Sequence, residues 1–251
     1  MPQPWRTGII TRIEQETPST RRYWIQVPEL ERFDFVPGQF VTLDLPIHEK
    51  PNKRWRSYSI ASWPDGTNTF ELVIVLLEGG LGTTYLFNET TVGSQLTLRG
   101  PQGVFVLPEE IDRDLFLICT GTGVAPFRSM THYIRDHNTA HKNIYLIFGC
   151  RKTSDCLYGH ELKSLQRELP NFYYIPTFSR EEPGEDYRTG YVHTVYEEIC
   201  NNGFEKGEDG ATIRKPAYFY LCGWKNMIDE AKDRILKLGY DKKSIHLELY
   251  G

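Results

Sequence analysis

Five short segments carry side chains whose types and spacing suit a flat, phosphate-bearing ligand. The first is Arg56-Ser57-Tyr58-Ser59. An extended chain points Arg56 and Tyr58 to one face and Ser57 and Ser59 to the other. A guanidinium is a planar fork that grips phosphate, and a phenol ring lies flat on another ring. An ordinary edge strand would read the same way. The second is Gly79-Gly80-Leu81-Gly82-Thr83-Thr84-Tyr85-Leu86, three glycines before two hydroxyls and an apolar helical start. Glycines let backbone approach a ligand, and free N–H groups at a helix N-terminus hold an anion. A turn capped by Thr83 is the alternative.

The third segment is Cys119-Thr120-Gly121-Thr122-Gly123-Val124-Ala125-Pro126-Phe127-Arg128, directly after the apolar run 115–119. A dinucleotide pyrophosphate sits at this kind of strand-to-helix turn in a doubly wound sheet. The third glycine of the common fingerprint is missing, so the pattern is weak by itself. Pro126 suits an early helical position. The fourth, Tyr220-Leu221-Cys222-Gly223-Trp224-Lys225-Asn226-Met227, again lies at a strand end. Cys222 taken singly is a small buried hydrophobe. The fifth is Leu247-Glu248-Leu249-Tyr250-Gly251 at the chain's end, where an aromatic is by default surface.

Arg151 follows the apolar run 144–148, while Ser179 and Arg180 follow the run 172–177. Ligands of open α/β sheets lie at the carboxyl ends of the strands. These three residues therefore offer cations and a hydroxyl for a ribose phosphate, with Tyr187 or Arg188 able to add stacking or charge. Glu181, Glu182, Glu185 and Asp186 crowd the same region and oppose an anion. Solvated loop arginines are the plainer alternative.

These segments need a scaffold, and the chain changes rhythm to supply one. Up to about residue 100, β-branched and aromatic runs at 7–14, 22–27, 39–44, 57–61, 69–77 and 95–99 alternate with Pro and Gly turns. One helical stretch, 81–88, interrupts them. The expectation is an antiparallel β-barrel. From about 115, apolar runs at 115–119, 144–148, 172–177, 218–222 and 245–249 alternate with amphipathic stretches at 125–136, 159–168, 193–200 and 225–238. That rhythm predicts a doubly wound parallel sheet with helices on both faces. The polar bridge 108–114 separates two domains, 1–110 and 111–251. The polar segment 201–215 reads as a mobile loop.

Composition narrows the functional classes. The 251 residues carry a net charge of -4, which sets aside a nucleic-acid binder. No apolar run approaches the ~20 residues of a membrane span. The start, MPQPWRTGII, lacks the layout of a signal peptide, so a cytoplasmic monomer is expected. Five scattered cysteines argue against a disulfide framework, a zinc ribbon or a plant-type iron–sulfur cluster, and no metal site is expected. His137 and His141 read as solvated surface groups.

Taken together, RSYS, then G-x-x-T, then GTGVAPFRS, then a cysteine–glycine block, then a terminal E-x-Y resemble the ferredoxin–NADP reductase family, in its order and at its spacing. The resemblance implies a FAD-binding barrel followed by an NADP(H)-binding α/β domain. It implies electron transfer between NADP(H) and a one-electron carrier, ferredoxin or flavodoxin. By match, Arg56 and Thr83 contact the FAD pyrophosphate, and Ser57, Gly82, Thr84 and Thr122 complete the FAD set. Tyr58 packs on one flavin face, Ser59 lies near the reactive N5, and Tyr250 stacks on the other face. Gly121, Thr122, Gly123 and Pro126 form the dinucleotide loop, with Arg151, Ser179 and Arg180 toward the NADP phosphate. Cys222 and Gly223 flank the nicotinamide, and Glu248 delivers protons. Two features depart from the pattern: Gly251 follows the terminal aromatic, and the glycines of 79–84 leave the adenine end of FAD undefined.

Three other readings compete. A reductase component of an oxygenase system often carries a fused iron–sulfur domain. A free-flavin reductase would hold FAD loosely. An electron-transfer subunit of the dihydroorotate dehydrogenase type would call for a clustered cysteine quartet, which this sequence lacks.

Overall fold

A computed structural model describes residues 3–206 and 212–250. Six strands build the first sheet: β1 Trp5–Thr17, β2 Thr20–Gln26, β3 Phe40–Asp44, β4 Trp55–Ser59, β5 Thr69–Val75 and β6 Gln95–Gln102. A single helix, α1 (Leu81–Asn88), lies between β5 and β6. Strand order is β4-β3-β6-β1-β2-β5, and every pairing is antiparallel. Alternate residues point inward, as a period of two demands. Ile10, Tyr23, Ile25, Val41, Leu43, Phe70, Leu72, Leu96 and Leu98 fill the interior. The sheet curls until its edges meet, with Ala61 N–H donating to the Glu71 carbonyl at 2.8 Å. Closure removes the exposed edges that an open sheet would leave.

The second sheet is wholly parallel. Its strands are β7 Asp114–Thr120, β8 Ile144–Cys150, β9 Phe172–Phe178, β10 Arg188–Thr189, β13 Ala217–Trp224 and β14 Ile245–Tyr250, in the order β10-β9-β8-β7-β13-β14. Helices α2 (Val124–Asp136), α3 (Gly159–Glu168), α4 (Val192–Asn202) and α5 (Lys225–Lys237) connect them. The chain steps outward from β7 to β10, then returns to the other side of β7 through β13. Order therefore reverses between β7 and β13, the position at which open α/β sheets bind ligands. α4 and α5 seal one face, with Val192, Val195, Tyr196, Ile228, Ala231 and Ile235 buried on Phe116, Ile147 and Phe219.

Packing divides the chain after Leu107 and groups Ala125–Asp136 of α2 with the barrel, whereas the sequence counted that helix with the second domain. The barrel and α2 share an ion-pair network. Arg22 of β2 grips Glu71 of β5 bidentately, at 2.6 and 3.2 Å. Arg128 of α2 donates to the same carboxylate at 3.0 Å and to the Ala61 carbonyl at 2.8 Å. Beside them His132 stacks on Trp63 at 3.9 Å between ring centroids.

One expectation needs correction. The segment 201–215, read as a mobile loop, contains two short paired strands, β11 (Phe204–Lys206) and β12 (Thr212–Arg214). Arg214 anchors them by donating to the Cys200 carbonyl and resting over Phe204 and Tyr240. Polar composition hid the pairing of two strands of three residues each. Among the described residues no helix is long and apolar enough to cross a membrane, and no group of three or more potential metal ligands occurs.

Candidate functional site

On the barrel, β4 presents Arg56 and Tyr58 half-buried on one face, with Ser57 exposed and Ser59 buried. Pairing with β3 sets this register, Arg56 opposite Leu43 and Tyr58 opposite Val41. Arg56 is held by its own loop, Nη1 donating to the carbonyls of Lys53 at 3.1 Å and Trp55 at 2.8 Å. It forms no ion pair among the described residues. Its stem lies against Gly82, where a Cβ would come within 2.9 Å of Arg56 Cγ. Gly82 is the second residue of α1, whose N-cap Gly80 offers no side-chain acceptor. A helix leaves its first N–H groups unsatisfied. An uncompensated guanidinium thus meets free amide donors, a combination that fits a pyrophosphate.

Thr83 holds its own loop. Its buried hydroxyl accepts from Leu77 N–H at 3.1 Å and donates to the Gly80 carbonyl at 3.1 Å. The side chain closes the glycine loop. Thr84 is exposed on the same turn. Ser57 bonds Thr42 at 3.1 Å. Burial pushes the Tyr58 hydroxyl upward, with Arg56 pulling the other way, so its ring stays neutral.

In the second unit the turns that follow β7, β8 and β9 lie on the carboxyl edge of the parallel sheet. Gly121–Gly123 forms a tight turn after β7, and Pro126 lies in the first turn of α2. Gly121 adopts φ +54° with open space at its Cβ position, while a side chain at Gly123 would strike the Cys222 carbonyl. Gly223 is the reciprocal: a side chain there would strike Thr120. The two glycines let the turns after β7 and in β13 close on one another. Thr120 Oγ1 is buried at that junction with no partner among the described residues. Sequence reasoning missed it, because an orphaned hydroxyl has no signature in composition. Buried polar atoms are normally satisfied, so this one fits a ligand that completes it.

Cys222 is fully buried and pairs in register with Glu248 on β14, its Sγ 4.0 Å from Oε2. Tyr250 ends that strand opposite Trp224; its side chain and Gly251 lie outside the described residues. Burial raises the thiol pKa values of Cys119 and Cys150.

Arg151 and the pair Ser179-Arg180 also come together. Ser179 N–H donates to the Cys150 carbonyl at 3.0 Å and Arg180 N–H to the Arg151 carbonyl at 2.9 Å. The competing Glu181 is drawn aside: it accepts from Thr153 N at 2.8 Å and Thr153 Oγ1 at 2.9 Å, contacts that lower its pKa. Neither Arg151 nor Arg180 has an ion pair among the described residues. Arg188 pairs with Glu198 at 3.3 Å, both side chains exposed. Tyr187 folds over Gly184 and bonds the Glu182 carbonyl at 2.9 Å.

Comparison with known proteins agrees with both halves. Residues 7–107 match the oxidoreductase FAD-binding domain and residues 117–233 the oxidoreductase NAD-binding domain. Ferredoxin–NADP reductase B of Sorangium cellulosum is 32% identical over 254 residues, covering 99% of this chain and 98% of that protein. The phenol hydroxylase P5 protein of Acinetobacter pittii is 32% identical over 224 residues, covering 88% of this chain and 60% of that protein. The crystal structure of an Amycolatopsis cytochrome P450 reductase superposes with a TM-score of 0.82 at 25% identity, over 98% of this chain and 70% of that one. The chain therefore belongs to the ferredoxin–NADP reductase family, as an oxidoreductase with a FAD-binding barrel and a nicotinamide-dinucleotide-binding α/β domain.

Proposed function

We propose that this protein passes electrons between NADP(H) and a ferredoxin or flavodoxin through bound FAD. The observation that carries the choice of NADP over NAD is the uncompensated pair Arg151 and Arg180 beside Ser179, with Glu181 tied to Thr153. Two cations and a hydroxyl at one strand edge suit a 2′-phosphate, which NAD lacks. FAD, when bound, accepts two electrons from the nicotinamide and releases them singly.

The chain's own residues bind, orient and protonate. Arg56 and the amides opening α1 hold the pyrophosphate, with Gly82, Thr83 and Thr84 on the same turn. Tyr58 supports one flavin face and Ser59 sets a hydroxyl toward N5. Gly121, Thr122, Gly123 and Pro126 shape the dinucleotide loop, and Cys222 with Gly223 borders the nicotinamide. Glu248, paired in register with Cys222, holds the exchangeable proton. All five cysteines are free, as suits a reducing compartment, and we place the reaction in the cytoplasm.

Reduction of a panel of ferredoxins and flavodoxins, driven by NADPH or by NADH, tests this directly. NADPH should be preferred. A desolvated charge-assisted contact contributes ~1.5–3 kcal/mol, so Arg180→Ala should raise the apparent constant for NADPH roughly tenfold to a hundredfold and leave NADH nearly unchanged. A wild type that uses both nucleotides equally well would overturn the assignment. A second reading, the reductase of an oxygenase system, draws on relatives such as the phenol hydroxylase P5 protein, of which this chain spans 60%. Reduction of an oxygenase but of no free carrier would favour it.

A further inference from the structure

The parallel sheet ends on β10 and β14. β10 is two residues long, whereas β14 runs for six. Ile245 packs on the face that α5 covers, so Leu247 and Leu249 share that face by alternation. They are 43% and 51% exposed. Among the described residues no strand pairs with the far side of β14. A long edge with exposed apolar side chains is a template for another strand. We infer that this edge takes a second copy of the chain, β14 antiparallel to β14 about a two-fold axis through Leu247, joining the two parallel sheets into one. The result is a dimer in place of the monomer expected from the sequence.

The edge selects that partner and that register. An axis normal to the sheet keeps every side chain on its own face, so it must pass through a residue and not between two. Centring on Leu247 sets Leu247 against its own copy and Ile245 against Leu249, an unbroken apolar row on the α5 face. His246 and Glu248 lie on the other face, the first stacked on Tyr220 at 4.4 Å and the second beside Cys222. The same register sets His246 against Glu248 twice, an imidazole facing a carboxylate. Centring on Glu248 would oppose two carboxylates, and like charges directly opposite are destabilising. Centring on His246 would leave Leu249 against Lys243.

The helix above the edge extends the match. Glu230 and Arg234 of α5 turn toward α4, where they meet His193 and Glu197. The opposite flank of α5 carries Lys225, Asp229, Lys232 and Leu236 at helical spacing and therefore lies on the β14 side. Lys225 and Asp229 already pair within it. The two-fold axis lays this flank antiparallel to its copy, so a stripe that alternates cation and anion meets unlike charges, and Leu236, 37% exposed, is covered. One strand and one helix flank per subunit make a small interface, near or below ~1,200 Å², so the dimer should be weak and concentration-dependent.

Sedimentation velocity of the purified protein from roughly 1 to 100 µM tests this. The wild type should pass from monomer to dimer across that range. Leu247→Lys sets two cations against each other across the axis and should raise the dimer dissociation constant roughly tenfold or more, with the circular dichroism spectrum unchanged. Cross-linking reads the register and still decides should Leu247→Lys fail to fold. After mild oxidation with diamide, Leu247→Cys should form a covalent dimer, because the axis sets that position against itself. Leu249→Cys, set against Ile245, should not, and the wild type with its five native cysteines gives the background. A wild type that stays monomeric throughout, a folded Leu247→Lys variant that dimerises like the wild type, or equal cross-linking by the two cysteine variants would each overturn the pairing.

Discussion

His193 is 6% exposed on α4, with Nδ1 3.0 Å from the Tyr196 hydroxyl and Nε2 3.5 Å from the Glu230 carboxylate. Burial drives its pKa down; Glu230 and Glu197 pull it up and Arg234 down, and burial prevails. The unfolded imidazole, with a pKa near ~6.5, takes its proton before the folded one does. Its contribution to stability is therefore full above ~6.5 and is lost as pH falls through the folded value. The melting temperature should drop as pH falls below about 6.5, and His193→Gln should flatten that drop. Parallel curves for variant and wild type would show that His193 does not set it. His246, also lowered by burial, remains in both proteins and accounts for any residual slope. None of this is legible in sequence, where a histidine in Val192–Asn202 is one polar residue on an amphipathic helix.

The elements that position the site were largely readable, and the exceptions have physical causes. A parallel sheet puts every strand-to-helix turn on one edge, so runs such as 144–148 and 172–177 were enough to bring Arg151, Ser179 and Arg180 together. Alternation in β4 likewise fixed which side Arg56 and Tyr58 share. Long-range pairing of charges was not readable. Glu71 sits inside the strand 69–75 as a lone carboxylate among apolar residues, and its partners are 49 and 57 residues away. The sequence gives no hint that Arg128, within a glycine-loop motif, belongs to the barrel's ion network. Glu71 is 2% exposed, and removing one member of a buried ionic network leaves uncompensated charge. Glu71→Gln should therefore lower stability by about 3–5 kcal/mol. Four of the five tryptophans, Trp5, Trp24, Trp55 and Trp63, precede residue 107, so urea unfolding followed by tryptophan fluorescence reports on this unit. A loss below ~1 kcal/mol, the scale of exposed pairs, would mean that the network does not hold α2 to the barrel.

At the scale of the whole molecule, charge distribution matters more than the net value of -4. The segment His48-Glu49-Lys50-Pro51-Asn52-Lys53-Arg54-Trp55-Arg56 is basic and leads straight into the flavin strand. The structure sorts its cations by availability. Arg54 is matched by Asp44, and Arg56 is turned toward its own loop carbonyls beside α1. Lys50 and Lys53 are exposed on the short 3-10 turn region and form no ion pair among the described residues. Were an acidic carrier to dock at this segment, they are the two charges left to meet it. Attraction between exposed charges is screened over about 10 Å at 0.1 M salt, so it acts mainly on the rate of encounter. Carrier reduction should then slow as salt rises, while the reduction of small artificial acceptors should not. Reversing both lysines, Lys50→Glu with Lys53→Glu, should slow carrier reduction at low salt and remove most of its salt dependence. Both positions are solvated, so the fold and bound FAD should be retained, and the visible flavin spectrum verifies that. If the double variant slowed carrier and artificial acceptor equally, the lysines would be acting on the flavin site and docking at this segment would be ruled out.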